Sequence, residues 1–186
     1  FVSVEWRKTG AGLQKAPTKL IGEYNFTNIM AAICIGDYFG VEEALINEAL
    51  RTYEPGLNRS QYVDSGKNQI ILDAYNANPD SMSAAISNFG MISSSNKVAI
   101  LGDMFELGSY SMGAHENVIL ELKSAGVDEI YLVGPEFVKA LKDNHGNAYL
   151  NVKELIKSLV SSPISDSLIL LKGSRGMRME QLLEYL

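Results

Sequence analysis

The feature that most constrains the fold is a regular alternation of short apolar runs with helical patterns from residue 57 to the last residue. Six runs are predicted to be strands: SQYVDSG, NQIILDAY, KVAILGDM, DEIYLVG, a weaker NAYLN, and SLILLKG. Helices are predicted at 80–92, 113–126, 135–144, 152–160 and 177–185. Short apolar strands that alternate with amphipathic helices are typical of a mostly parallel sheet covered on both faces. Right-handed crossovers then give an α/β, Rossmann-like, doubly wound domain.

The first 55 residues follow a different pattern. A strand-like start alternates Val2, Val4 and Trp6 with polar residues, and two amphipathic helical patterns follow, the first of which stops at Gly40. The string EPG at 54–56 indicates a turn and the domain boundary. We therefore expect a mainly helical domain at 1–55 and the Rossmann-like domain at 56–186. The chain opens in mid-strand without an initiator methionine, so we expect a fragment or a processed chain.

Composition limits the classes of function. The 186 residues carry a net charge of -6, which argues against a protein that coats nucleic acid, although local basic residues could still hold a nucleotide. The single cysteine, Cys34, excludes an internal disulfide and fits a reducing compartment. No apolar run approaches the roughly 20 residues of a membrane span. We expect a cytoplasmic protein with no membrane span and no nucleic-acid partner.

The residues that follow three of the predicted strands are unusually polar. Ligands of open α/β sheets bind at the carboxyl ends of the strands, and such ends share one edge. We therefore expect residues far apart in sequence to converge there. The candidates are Asp73, Tyr75, Asn76 and Asn78 after the second strand, Asp103, Glu106 and His115 after the third, and Lys172, Ser174 and Arg175 after the last.

Each cluster has a chemical interpretation and a structural alternative. The KGSRG loop precedes a predicted helix, where free N–H groups favour an anion, but its glycines could simply shape a turn. Asp73 could begin a turn, the acids of LGDMFELG could be solvated, and His115 could lie on the surface. The sequence contains no GxxxxGK[ST] loop, no metal-ligand spacing such as HExxH and no GxSxG elbow.

Three of these strings together resemble the C-terminal half of the Mur ligase family. DAYNANPDSM, LGDMFELG followed by a histidine, and LKGSRGMRME occur in the order and at the separations of that family. GEYNFTNIMAAICIGDYFGV resembles the end of the family's central ATPase domain, which implies that residues 1–55 are a C-terminal remnant of that domain and that residues 56–186 are the family's C-terminal ligase domain. NRSQ resembles the linker motif between them. The resemblance covers nearly the whole chain. Within the family, DAYNANP is similar to the members that join D-alanyl-D-alanine to UDP-N-acetylmuramoyl-tripeptide.

The resemblance implies an ATP-dependent amide-bond ligase of peptidoglycan precursor synthesis, with ATP as a substrate and Mg²⁺ bound mostly by residues outside this chain. It also implies a nucleotide side, on which Asn25 and Asn28 approach the adenine, Arg59 approaches the phosphates and Asp73 bonds the ribose hydroxyls. Tyr75, Asn76 and Asn78 would line the same side. The dipeptide and the acyl-phosphate would face Asp103, Glu106, His115, Lys172, Ser174 and Arg175.

The chain departs from the family in what it does not contain. The UDP-sugar-binding domain, the P-loop, the carbamylated lysine and the magnesium ligands of the family do not occur in these 186 residues. We therefore expect the chain to be inactive alone. Two alternatives stay open: a stand-alone nucleotide-binding or regulatory module, and a related ligase that adds a different amino acid. A strand-end acid at a cleft should be solvated, so replacing Asp73 should weaken ATP binding and leave the fold intact.

Overall fold

A computed structural model describes residues 1–141 and 147–186, and the chain divides into two compact units. Unit 1 is Phe1–Gly56 and unit 2 is Leu57–Leu186. The sequence predicted a boundary after residue 55. The assignment of unit 1 to a central ATPase domain stays a prediction.

Unit 1 combines a β-hairpin with two helices. Strands β1 (Ser3–Trp6) and β2 (Gln14–Pro17) pair antiparallel, and helices α1 (Asn25–Tyr38) and α2 (Glu43–Thr52) follow. The alternation of β1 buries Val4 and Trp6 because successive side chains of a strand point to opposite faces. The core of unit 1 consists of Val4, Trp6, Ala16, Ile29, Ile33 and Ile46.

Unit 2 is built on a six-stranded sheet of order β3-β4-β8-β5-β6-β7. The strands are β3 (Gln61–Asp64), β4 (Gln69–Asp73), β5 (Lys97–Gly102), β6 (Glu129–Val133), β7 (Asn147–Tyr149) and β8 (Leu168–Lys172). All six predicted strands are confirmed. Only β3, at one edge of the sheet, pairs antiparallel; the other strand pairs are parallel. The last strand, β8, lies between β4 and β5.

Helices cover both faces of this sheet, which confirms the doubly wound fold. They are α3 (Pro79–Met91), α4 (Ser111–Ser124), α5 (Pro135–Ala140) and α6 (Val152–Ser161). Helices α3, α4 and α5 pack side by side, whereas α6 and the C-terminal segment form a separate core with the opposite sheet face. The sequence predicted a helix at 135–144. The observed α5 ends at Ala140, and residues 142–144 of the prediction lie outside the described residues. No helix in the described ranges is long and apolar enough to cross a membrane.

The prediction of a regular helix at 177–185 is wrong. The segment instead forms two 3-10 helices, Arg175–Met177 and Met179–Tyr185, on either side of Arg178. Arg178 has a φ of 53°, and a left-handed residue does not continue a right-handed helix. Met179 and Leu182 lie three residues apart and are both buried, which suits the three-residue turn of a 3-10 helix.

Candidate functional site

The three polar clusters meet at one edge of the sheet, as the sequence predicted. Strands β4, β8 and β5 are neighbours and run parallel, so their carboxyl ends lie side by side. In the register of β4 and β8, Asp73 lies opposite Lys172. In the register of β5 and β8, Leu101 lies opposite Lys172, which brings the segment that begins at Gly102 beside the KGSRG loop.

Asp73 is held by two groups of unit 2. Its Oδ2 accepts a hydrogen bond of 2.6 Å from the Lys172 ammonium, and its Oδ1 accepts one of 3.1 Å from the backbone N–H of Ser60. Lys172 also donates to the carbonyl of Asn76 at 3.1 Å. The Lys172 side chain is 2% exposed and that of Asp73 is 19% exposed. The expectation of a solvated Asp73 is therefore wrong, because the carboxylate forms half of a largely buried ion pair.

Two arginines flank a single tyrosine beside this ion pair. The Arg59 guanidinium carbon lies 3.8 Å from the centre of the Tyr75 ring, and that of Arg175 lies 5.2 Å from it. A guanidinium over an aromatic face is attracted by the ring quadrupole. The pKa of Tyr75 is lowered by a side-chain hydrogen bond with Arg59, then by the charge of Arg59, and then by that of Arg175. Residues 116 positions apart in sequence thus form one exposed positive cluster.

The two asparagines of this region have local partners. The side chain of Asn78 caps helix α3: it accepts a hydrogen bond of 2.8 Å from the N–H of Ser81, whose hydroxyl accepts from the N–H of Asn78. This reciprocal capping box satisfies donors that a helix start otherwise leaves open. Asn76 is exposed, and its side-chain oxygen accepts from the N–H of Ala77 at 2.9 Å. Asn78 therefore has a structural partner, and Asn76 remains at the surface of the edge.

Asp103 and His115 form a buried network. The Asp103 carboxylate accepts hydrogen bonds from the N–H groups of Glu136 (3.0 Å) and Phe137 (2.9 Å) at the start of α5. His115 accepts from the N–H of Met104 through Nε2, so its Nδ1, 2.7 Å from the Ser111 carbonyl, is the donor. Both side chains are at most 1% exposed, and burial raises the pKa of Asp103. Neither group offers a free polar atom to a ligand.

The network extends to the KGSRG loop through Ser174. The N–H of Ser174 donates to the carbonyl of Asp103 at 3.2 Å, and its hydroxyl accepts from the N–H of Phe105 at 2.9 Å. Ser174 is buried, whereas Glu106 and Arg175 are exposed. Of the six residues expected to face the dipeptide, these two are accessible to solvent and the other four are enclosed.

The asparagine pair of unit 1 lies in the first turn of α1. Asn25 is buried and donates to the carbonyl of Ile21 at 2.8 Å, while its side-chain oxygen accepts from the amide of Asn28 at 3.2 Å. Asn28 is exposed. The N-x-x-N spacing thus makes one hydrogen-bonded pair, in which Asn28 is the accessible member.

Three positioning features were not predicted from the sequence. The N–H of Ser60 bonds Asp73, and no sequence pattern signals a backbone contact of this kind. Gly134 has a φ of 126°, and a Cβ added there would lie 2.2 Å from the Asp103 carboxyl carbon. The burial of His115 did carry a signal, because it precedes the buried Val118, Ile119 and Leu122 at helical spacing.

Mg²⁺, which the resemblance implies, finds no ready ligand set in the described part of the chain. Within residues 1–141 and 147–186, no three His, Cys, Asp or Glu side chains cluster closely enough to hold a metal ion. Asp73 and Asp103 have their oxygens directed to Lys172 and to backbone N–H groups. These two carboxylates are therefore not arranged to hold a resident ion.

Comparison with known proteins identifies the family. The UDP-N-acetylmuramoyl-tripeptide–D-alanyl-D-alanine ligase of Rickettsia prowazekii is 31% identical over 166 residues, which are 87% of this chain and 36% of that protein. MurF from Acinetobacter baumannii superposes with a TM-score of 0.82 at 28% identity, over 93% of this chain and 40% of that one. MurF ligase from Thermotoga maritima, solved in complex with ADP, shares the fold with a TM-score of 0.77 at 23% identity, over 98% of this chain and 45% of that one.

The chain thus spans 36% to 45% of the length of these relatives, which is less than half. The model of the Mur ligase glutamate ligase domain matches residues 58–175, which is more than half of the chain and nearly all of unit 2. The chain therefore belongs to the Mur ligase family, and unit 2 carries the family's glutamate ligase domain.

Proposed function

We propose that this chain is the C-terminal part of an ATP-dependent ligase that joins D-alanyl-D-alanine to UDP-N-acetylmuramoyl-tripeptide in the cytoplasm. Relatives that match most of the chain carry that activity in their names. In the proposed reaction, the γ-phosphate of ATP is transferred to the carboxylate of the tripeptide, which gives an acyl-phosphate and ADP. The amine of the dipeptide then attacks the acyl carbon, the amide bond forms and phosphate leaves.

The observation that carries the proposal is the combination of a carboxylate with a positive cluster at one sheet edge. Asp73 offers its remaining lone pairs to a ribose diol, since an ionised carboxylate has about four acceptor sites. The guanidinium groups of Arg59 and Arg175, which Tyr75 holds together, provide positive charge for phosphate oxygens. A nucleotide requires this arrangement, in which an acid binds the sugar and neighbouring cations bind the phosphates.

For the dipeptide side we propose a smaller set of contacts than the sequence suggested. Glu106 and Arg175 are exposed and can reach a substrate amine and a carboxylate or acyl-phosphate. Asp103, His115 and Ser174 are buried, and we assign to them the positioning of the loops that carry Glu106 and Arg175. Charge preorganised where negative charge develops stabilises a phosphoryl or acyl transition state without reorganisation.

The test is ADP release by the complete ligase that contains this chain. We expect ADP release that requires both UDP-N-acetylmuramoyl-tripeptide and D-alanyl-D-alanine. Arg175→Gln should lower kcat/KM by roughly tenfold or more, because a hydrogen bond to a charged group contributes about 1.5–3 kcal/mol. The control Arg51→Gln removes an exposed ion pair of α2 and should leave kcat/KM unchanged. Equal activity of Arg175→Gln and the wild type would contradict the proposal.

The same assay separates the alternatives. A related ligase would release ADP with a different amino acid and not with D-alanyl-D-alanine. A stand-alone module would bind ADP and show no amide-forming activity with any substrate. We also propose that the 186-residue chain alone releases no phosphate from ATP, because it contains no P-loop. ATP hydrolysis by the purified chain, absent in an Asp73→Asn variant purified in parallel, would contradict this.

A further inference from the structure

Lys172 is a fully buried lysine at the end of β8, 1% exposed as a residue. Lysine is almost never buried to this extent unless its charge is paired, because an isolated buried ammonium loses its hydration. Both of its described contacts lie in the segment that follows β4, namely the Asp73 carboxylate at 2.6 Å and the Asn76 carbonyl at 3.1 Å. Its charge is therefore directed at the candidate ribose acid and not at open solvent.

The sheet register explains why the two side chains meet. Asp73 and Lys172 are direct partners in the parallel pairing of β4 and β8, and residues paired in this way project from the same face. Their neighbours Leu72 and Leu171 belong to the core on the opposite face. The ion pair therefore lies on the face that α3 covers. In the sequence, Asp73 shortly precedes Asn78, the N-cap residue of that helix.

The carboxylate is fixed at both oxygens. Lys172 takes Oδ2, and the backbone N–H of Ser60 takes Oδ1 at 3.1 Å. Two of about four acceptor sites are then used, and two remain. The exposed part of the pair belongs to Asp73, at 19%, whereas the Lys172 side chain is 2% exposed. A ligand that approaches this edge reaches the carboxylate, and the ammonium lies beneath it.

We propose that Lys172 is a positioning residue that orients the Asp73 carboxylate to accept the two ribose hydroxyls of the nucleotide, and that it does not contact the dipeptide or the acyl-phosphate. This inference rests on the proposed nucleotide site. It replaces the assignment of Lys172 to an anionic substrate and leaves that role to the exposed Arg175. Accordingly, the loss of Lys172 acts on recognition of the sugar and not on recognition of the dipeptide.

The test compares ADP with 2′,3′-dideoxy-ADP in calorimetric titrations of the complete ligase that contains this chain. The wild type should bind ADP at least tenfold more tightly, since hydrogen bonds to a carboxylate contribute about 1.5–3 kcal/mol each and 1.4 kcal/mol is tenfold. Lys172→Met should reduce this ratio to about threefold or less and leave the affinity for 2′,3′-dideoxy-ADP within about threefold of the wild type. The control Lys139→Met removes the exposed ion pair with Glu136 and should keep the wild-type ratio.

A second variant covers the case in which Lys172→Met does not fold. Lys172→Gln keeps a neutral hydrogen-bond donor for Asp73. Its ratio of ADP affinity to 2′,3′-dideoxy-ADP affinity should lie below that of the wild type and above that of Asp73→Asn, the reference variant that removes the carboxylate. A wild-type ratio in folded Lys172→Met or in Lys172→Gln overturns the inference. A raised KM for D-alanyl-D-alanine at an unchanged ratio also overturns it and returns Lys172 to the substrate. If the wild type itself shows no preference for ADP, or no binding, the proposed nucleotide site fails first, and the role of Lys172, which rests on it, falls with it; a wild-type preference that the variants keep overturns the role of Lys172 alone.

Discussion

Replacing Gly134 by alanine should destabilise unit 2 strongly, although the substitution adds one methyl group. Gly134 has a φ of 126° and a ψ of 157°, a region that only glycine adopts without strain. An added Cβ would lie 2.2 Å from the Asp103 carboxyl carbon and within 2.5 Å of both carboxylate oxygens. That carboxylate cannot move freely, because it accepts the N–H groups of Glu136 and Phe137.

The cost has two parts. The backbone strain amounts to about 1–3 kcal/mol. Displacement of Asp103 weakens at least one hydrogen bond to a charged group, which contributes about 1.5–3 kcal/mol. Lower entropy of the unfolded chain returns about 0.4–1 kcal/mol. We expect Gly134→Ala to lower the free energy of unfolding by about 1.5–5.5 kcal/mol, or roughly 5–20 °C in Tm for a domain of this size.

The assay is urea unfolding of the chain, followed by far-UV circular dichroism and by tryptophan fluorescence. Trp6 is the single tryptophan and lies in unit 1, so its fluorescence reports on unit 1 and the circular dichroism reports on both units. Gly113→Ala is the matched control, because a Cβ added at this third residue of α4 meets no atom within 4 Å beyond its chain neighbours and the backbone of its own helix. That control should stabilise the helix by up to about 1 kcal/mol.

A thermodynamic cycle tests the named contact. In an Asp103→Ala background the overlap is absent, so Gly134→Ala should cost only the backbone strain of about 1–3 kcal/mol. An equal cost in both backgrounds would show that Asp103 is not what the methyl group meets. A Gly134→Ala variant within 0.5 kcal/mol of the wild type, roughly the size of an ordinary surface substitution, would refute the reasoning altogether.

Three further predictions concern other parts of unit 2. Asn78→Ala removes the N-cap of α3 and should lower the free energy of unfolding by about 0.5–2 kcal/mol in urea; no change would mean that the cap is dispensable. Burial, and then the contact with Glu129, raises the pKa of Tyr131 from 10.0 to about 12, so its contribution to stability is complete below pH 10 and is lost as the pH rises to about 12. Tyr131→Phe should flatten the fall in unfolding free energy over that window, and an equally steep fall would contradict the assignment. Arg59→Gln should raise the pKa of Tyr75 toward its ordinary value. Ultraviolet absorbance titration measures this pKa, with Tyr75→Phe as the reference, and an unchanged titration would show that the two side chains do not interact.

The sequence was sufficient for the architecture because the architecture depends on patterns of polarity. Apolar runs such as those of β5 and β8 are buried throughout, which is what parallel strands covered on both faces require. The convergence of the three polar clusters could be predicted as well, because parallel strands that are neighbours end at a common edge of the sheet. The C-terminal segment was missed because its apolar spacing of three suits both an α-helix and a 3-10 helix.

The partners at the site could not be predicted because they depend on register. Nothing in the sequence places Asp73 opposite Lys172, 99 residues away, and a shift of one residue would direct the two side chains to opposite faces. The same limit applies to Asp103, whose partners lie at the start of a helix 33 and 34 residues further along the chain. Residue type indicated which side chains belong to the edge, and only the structure separated the enclosed ones from the accessible ones.

That separation changes how variants at this edge must be interpreted. Buried groups with satisfied hydrogen bonds lose stability when one partner is removed, because the other is left without a partner in a low-dielectric interior. Variants of Asp103 or His115 should therefore lower activity first by unfolding the loops that carry Glu106 and Arg175. Variants of the exposed Arg59 and Arg175 leave no buried group unpaired, so under the proposed function a loss of activity there would report a lost ligand contact. Kinetic constants at this edge consequently report on chemistry only when the folded fraction of each variant is measured alongside.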